Sequence, residues 1–286
     1  MNPTPGAVCL FLHIPKTAGT TLNGCLYEHY AVPGASGDWF HDGMYYFPYG
    51  FHKAQRPQFT EHVRAALARD DLRAVVGHFW YGAHALVARP SFYITLLRDP
   101  VDRVASLYHH DAATENEAFH DEIAAREATL EEFVRDFSCR EVDNDQTRRI
   151  AGREPGYGRC GPELLERAKR NLRDRFGFVG TTERFDESLI ALKRLLRWPY
   201  VFYLPVLVNR DRPAREELSP AARELIAERN AHDRELFDFA NRLLDERIAS
   251  EGSSFHDELA QFRAENGAFV ARHGEAVAAS SEGRAP

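Results

Sequence analysis

Cysteine is scarce in this chain: four among 286 residues, at positions 9, 25, 139 and 160, none in a Cys-x-x-Cys spacing. That pattern excludes a disulfide framework and a cysteine-held zinc site, and points to reduced thiols and the cytosol. Long apolar runs are also missing. The two longest, 8–14 and 201–208, are too short to cross a bilayer, and no N-terminal stretch carries the basic, apolar and small-residue regions of a secretory signal. Positive charge is not in excess, since 36 Lys and Arg face 43 Asp and Glu for a formal net charge of −7. Nucleic acid held by bulk electrostatics is therefore not an expected partner. Histidine pairs at i, i+4 with an acidic companion are lacking too, so no metal site is expected.

What the chain does have is two places where a strand runs into a turn and then a helix. The apolar run Val8 to Ile14 feeds Pro15-Lys16-Thr17-Ala18-Gly19-Thr20-Thr21. Free N–H groups and the positive dipole end at a helix start form a ready site for phosphate or sulfate. Lys16 adds a mobile cation, Thr17, Thr20 and Thr21 add hydroxyls, and Gly19 permits close backbone approach. Further on, Tyr93 to Leu97 leads into Arg98-Asp99-Pro100 and a helix bearing Ser106. Arg98 offers a planar fork for phosphate oxygens; an ion pair with Asp99 or Asp102 is its ordinary structural alternative. Two anion sites on one sheet suggest a ligand with phosphate at both ends. The lysine turn is not a Walker A loop, because its only glycine, Gly19, follows the lysine.

Strands are expected at 8–13, 73–77, 92–97, 176–180 and 201–204. Helical patterns cover 20–30, 57–69, 102–111, 130–137, 162–174 and 185–196, with one long helix from 219 to 248. Such alternation predicts an α/β fold: a P-loop-like three-layer domain with a central, mainly parallel sheet. It should span residues 1–250, with a C-terminal helical extension and a disordered tail over 251–286. Residues 34–49 read as an aromatic loop or lid and 115–153 as a polar helical insertion that could wall a cleft. The long helix could pack on its own domain or across a dimer, so the oligomeric state is left open.

Pro15-Lys16-Thr17-Ala18-Gly19-Thr20-Thr21 resembles the 5′-phosphosulfate loop of sulfotransferases that use 3′-phosphoadenosine 5′-phosphosulfate (PAPS). The likeness is nearest to the branch of bacterial carbohydrate sulfotransferases and the heparan sulfate 2-O- and 6-O-enzymes. Arg98 through Ser106 resembles that family's 3′-phosphate motif. Asn144-Asp145-Gln146-Thr147-Arg148 is similar to a segment near the acceptor cleft, and Phe178 to Phe185, with Thr181, to one beside the adenosine. The resemblance implies cofactor contacts from Lys16, Thr17, Ala18, Gly19, Thr20, Thr21, Arg98, Ser106, Thr181 and, in a late basic loop with Arg212, Arg210. It implies acceptor contacts from Asn144, Gln146 and Arg148. Read from the residues alone, Trp80, Trp39 and the aromatic run Tyr45 to Tyr49 could stack on a sugar or simply pack.

Sulfuryl transfer needs a base for the acceptor hydroxyl and a cation for the leaving phosphate. Lys16 suits the second role. Among 13 histidines, His78 stands at the end of the 73–77 strand, in a Gly-His-aromatic segment like the one that carries the base in the 2-O-enzymes. His13 reads as loop scaffold, His109 and His110 as possible cleft walls, and His52 and His84 as loop residues. The expected reaction is transfer from PAPS to a hydroxyl of a carbohydrate or other acceptor, leaving adenosine 3′,5′-bisphosphate, with no metal. A bacterial cytoplasmic setting is expected over the Golgi lumen, because no membrane anchor is seen. A Mg-dependent, ATP-using phosphotransferase and a catalytically silent nucleotide-binding module are the alternatives.

Overall fold

The computed structural model describes residues 4–31, 36–37, 40–41, 43–47, 57–115, 117–205 and 215–282. At its centre lies β1 (Val8–Leu12), whose five residues are all buried. A strand covered on both faces reads as an unbroken apolar run, which is what Val-Cys-Leu-Phe-Leu supplies. Its side chains alternate between two cores. Leu10 and Leu12 join Leu172 of α7 (Pro162–Arg175) and Leu236 of α10 (Ala231–Ser250). Cys9 and Phe11 meet Leu22 of α1 (Gly19–Tyr30), Leu189 of α8 (Phe185–Leu196) and Phe255 of α11 (Ser254–Glu282). Helices therefore cover both faces, as a three-layer α/β fold requires.

The sheet has seven strands in the order β2-β3-β4-β5-β1-β6-β7. These are β2 (Ser36–Gly37), β3 (Phe40–His41), β4 (Met44–Phe47), β5 (Ala74–Gly77), β6 (Ser91–Leu97) and β7 (Phe176–Thr181). From β4 to β7 every pairing is parallel, with Cys9 opposite Ala74 on one side of β1 and Phe92 on the other. Among the described residues, the antiparallel pairings are β2 with β3 and β3 with β4. The chain fills one side of β1 with β4 and β5, then crosses to the other for β6 and β7. Ligands on open α/β sheets sit at such a switch point, beyond the carboxyl ends of the strands. Here β5, β1 and β6 lead directly into His78, the Lys16 turn and Arg98.

A third apolar cluster binds α3 (Pro100–Ala113), α4 (His120–Arg126), α5 (Leu130–Asp136) and α9 (Pro220–Arg229), through Val104, Ile123, Phe133 and Ile226. The remaining helices are α2 (Pro57–Leu67) and the short α6 (Asp145–Ala151). Among the described residues, no helix is long and apolar enough to cross a membrane.

Three expectations need correction. Residues 201–204 form no strand: the Tyr203 N–H donates to Asn266 Oδ1 (2.9 Å) and the Phe202 ring stacks on Phe269. The run is apolar because it packs under α11, not because it joins the sheet. Met44–Phe47, read as loop, is a strand with Met44, Tyr45 and Phe47 buried. The expected helix 219–248 is broken at Asn230, whose side-chain amide donates to Val142 O and Ile226 O, both at 2.9 Å.

Candidate active site

After β1 the chain turns tightly. The buried Thr17 hydroxyl donates to Ile14 O at 2.8 Å, closing the turn. Lys16 (φ 68°) and Ala18 (φ 60°) are both left-handed, the kind of backbone that gathers successive N–H groups into a concave nest for an anion. Ala18 caps α1 without a side-chain bond, and the first turn holds no acidic residue. Those opening N–H groups, together with Thr20 and Thr21, fit a phosphate or sulfate at the positive end of the helix. Gly19 has a packing role as well. A Cβ there would meet the His13 ring at 1.9 Å, so glycine is needed for the imidazole beneath the turn.

The second turn is tied to the first. Arg98, half-buried at the end of β6, donates from Nη1 to Lys16 O at 3.0 Å. The alternative ion pair with Asp99 is taken by Arg215, whose Nη1 is 2.8 Å from Asp99 Oδ2. Asp99 Oδ1 meanwhile accepts from Val101 N (2.9 Å) and caps α3. Ser106 lies half-buried on that helix.

His78 follows β5 directly. Its Nδ1 is 2.7 Å from His13 O; a carbonyl only accepts, so Nδ1 carries the proton and Nε2 is the basic atom. Burial lowers its pKa below the ordinary 6.5, with Arg149 adding to the effect; the bond to His13 O, Asp145 and Glu117 oppose it. The neutral ring that general base catalysis needs is thus favoured. His13, tilted against His78 at 4.4 Å between centroids, is pushed further down, chiefly by burial. Arg149 donates from Nη1 to His78 O (3.2 Å), pairs through Nε with Asp145 (2.8 Å), and lies over the Trp80 ring.

An acidic wall faces the lysine turn. His110, Asp111 and Glu117 bring one ligand atom each within 4.8 Å, and His110 Nε2 meets Glu117 Oε1 at 3.2 Å. Burial pushes the Asp111 carboxyl up to about 6; Glu117 adds to the rise and Lys16 opposes it.

Several expected contacts are spent on structure. Thr181 is fully buried and its hydroxyl donates to Asn241 Oδ1. Arg148 is also fully buried, with Nε on Asp143 O (2.7 Å) and Nη2 on Gly156 O (3.2 Å). Asn144 Oδ1 accepts from His232 N (2.9 Å) and Asp233 N (3.1 Å). Gln146 bonds both backbone groups of Arg98. These side chains, expected at the acceptor or the adenosine, are turned inward to other parts of the chain. Trp80 is 7% exposed and covered by Arg149. Arg210, Arg212, Trp39 and His52 lie outside the described residues. Sequence reasoning passed over Arg149 in favour of Arg148, although helical spacing puts Gln146 and Arg149 on one face and Arg148 on another.

A central strand ending in a left-handed turn, an arginine turn bonded to it and a histidine across the switch point define the class: an α/β protein with a candidate anion site at the carboxyl edge of a parallel sheet. The family model for galactose-3-O-sulfotransferase matches residues 1–275, and the chain belongs to that family. It is 28% identical over 261 residues to galactose-3-O-sulfotransferase 3 of Bos taurus, covering 85% of this chain and 58% of that protein. Galactose-3-O-sulfotransferase 2 of Mus musculus is 26% identical over 191 residues, 62% of this chain and 46% of that protein. Heparan-sulfate 6-O-sulfotransferase 3 of Mus musculus is 25% identical over 288 residues, 84% and 58% of the two chains. This chain thus spans about half of each relative's length.

Proposed function

We propose that this chain transfers a sulfuryl group from PAPS to a hydroxyl of a carbohydrate. The observation that carries the reading is the joining of the two anion turns, Arg98 Nη1 to Lys16 O at 3.0 Å, beside a histidine held as the neutral Nδ1–H tautomer. Family membership supports it, as do the names of the relatives, a galactose-3-O-sulfotransferase and a heparan-sulfate 6-O-sulfotransferase.

PAPS would supply an activated sulfuryl group and leave as adenosine 3′,5′-bisphosphate. The N–H groups opening α1, with Thr20 and Thr21, would hold the 5′ end, and Arg98 with Ser106 the 3′-phosphate. The Lys16 ammonium would neutralise charge developing on the leaving phosphate. His78 Nε2 would take the acceptor proton, and the carbonyl of His13 would stabilise the imidazolium that results. A bacterial cytosolic setting remains part of the proposal. The four free cysteines support a reducing compartment, whereas the relatives named above are all animal proteins.

The test is transfer of labelled sulfate from PAPS to galactose-terminated and heparan-type glycans, followed across pH. Because the His78 pKa is lowered from 6.5, kcat/KM should rise with pH and level off below that value, and His78→Asn should abolish turnover. A pH-independent rate, or an active His78→Asn, would remove the base assignment. Absence of any sulfated product would remove the reading.

A further inference from the structure

Helix α6 has only seven residues, yet two side chains three apart on one of its faces reach both halves of the candidate site. Gln146 accepts from Arg98 N at 3.0 Å and donates to Arg98 O at 2.8 Å, so one amide grips the peptide units on both sides of the arginine. Arg149 Nη1 donates to the carbonyl of His78, and the Arg149 carbonyl accepts from Tyr81 N at 2.9 Å. The bracket joins the end of β6 to the residues that follow β5, which flank β1 on opposite sides.

We propose that α6 sets the spacing between the nucleotide-gripping Arg98 and the proton-accepting His78, with Gln146 and Arg149 as positioning residues for the transfer. The inference rests on the reading above for the roles of Arg98 and His78.

The helix is itself held against movement. Asp233 of α10 accepts from Gln146 N (3.1 Å) and Thr147 N (2.7 Å), satisfying the first turn of α6. In return Asn144, just before α6, accepts from His232 N and Asp233 N at the start of α10. Each helix caps the other. On its far side Arg148 anchors α6 to the loop at Pro155 and Gly156. A seven-residue helix has little stability of its own, so these reciprocal bonds are what make it a rigid spacer. A glutamine that forms two bonds to one backbone, and an arginine whose Nε is engaged by Asp145, have little left to offer an acceptor.

Two readouts test the bracket without relying on turnover. In Gln146→Ala the Arg98 backbone amide should exchange with solvent at least about tenfold faster, and affinity for adenosine 3′,5′-bisphosphate should fall by a similar factor. For Arg149, the histidine titration followed by NMR is decisive. His78 is faced by His13, Arg149, Asp145 and Glu117, and Lys16 stands near His13. Arg149→Met removes a cation and leaves Asp145 paired with Arg103 at 3.8 Å, so the His78 titration and the acid limb of kcat/KM should both move to higher pH. Arg149→Lys should restore the titration but not kcat, since a single ammonium cannot engage Asp145 and the His78 carbonyl as the guanidinium does. Asp145→Asn with Arg149→Met removes both charges and should titrate near wild type while kcat stays low, with thermal melting reporting the cost at Arg103, which also pairs with Asp145. An Arg98 amide that exchanges as in wild type, or a His78 titration indifferent to Arg149→Met, overturns the proposal. A wild-type chain that fails to bind adenosine 3′,5′-bisphosphate instead overturns the transfer reading, and exchange and titration still judge the bracket.

Discussion

Replacing Gly19 with alanine should destabilise this protein, although glycine in a helix is ordinarily a weak residue. The new Cβ would lie 1.9 Å from two atoms of the His13 ring and 2.6 Å from a third. The ring has little room to retreat, because it stacks on Phe11 at 5.4 Å and meets His78 at 4.4 Å. Reaching ordinary contact at about 3.5–4 Å requires a displacement of roughly 2 Å. Overpacking of this kind costs roughly 1–3 kcal/mol. The propensity gain from Gly to Ala is at most about 1 kcal/mol in a helix interior, and Gly19 stands at the first position. The clash wins, and Tm should fall by roughly 2–8 °C. A displaced His13 also pushes on His78, so turnover should fall beyond what the stability loss explains. Circular dichroism melting of Gly19→Ala, His13→Ala and the double variant measures this directly. In the His13→Ala background the ring is gone, and adding Gly19→Ala should cost nothing further. A Gly19→Ala protein that melts with wild type, or a double variant in which the two losses simply add, refutes the close packing of ring and turn.

Lys16→Ala should abolish sulfuryl transfer while leaving affinity for adenosine 3′,5′-bisphosphate within a few-fold of wild type, because its role is concentrated in the transition state; parallel turnover and binding assays decide. Asp111→Asn should raise Tm at pH 8, and by far less at pH 4. The acid's folded pKa is raised from 3.8 to about 6, so its ionisation costs stability increasingly across that window and fully above it. Equal melting shifts at both pH values would contradict this.

Much of the sheet was legible because parallel strands buried on both faces leave continuous apolar runs, as in Val8–Leu12 and Ser91–Leu97. The same rule misled at 201–204, where apolar side chains serve helix packing and the backbone bonds to Asn266. It also hid Met44–Phe47, because Gly43 and the aromatic neighbours read as a loop. At the site, Lys16, Arg98 and His78 were legible as strand-end residues, since the carboxyl edge of a parallel sheet is a property of chain order. The inward turn of Asn144, Gln146, Arg148 and Thr181 was not. Whether a polar side chain faces a ligand or another part of the chain depends on partners far along the sequence, such as Arg229, Asp233 and Asn241.

The most direct test of the central claim is calorimetric titration of the purified chain with adenosine 3′,5′-bisphosphate, with 5′-AMP and ATP as controls. The account predicts binding that requires the 3′-phosphate and weakens by roughly 10- to 150-fold in Arg98→Ala, the loss of a charged hydrogen bond. Equal binding of 5′-AMP, a preference for ATP with Mg²⁺, or an Arg98→Ala protein that binds as wild type would contradict it.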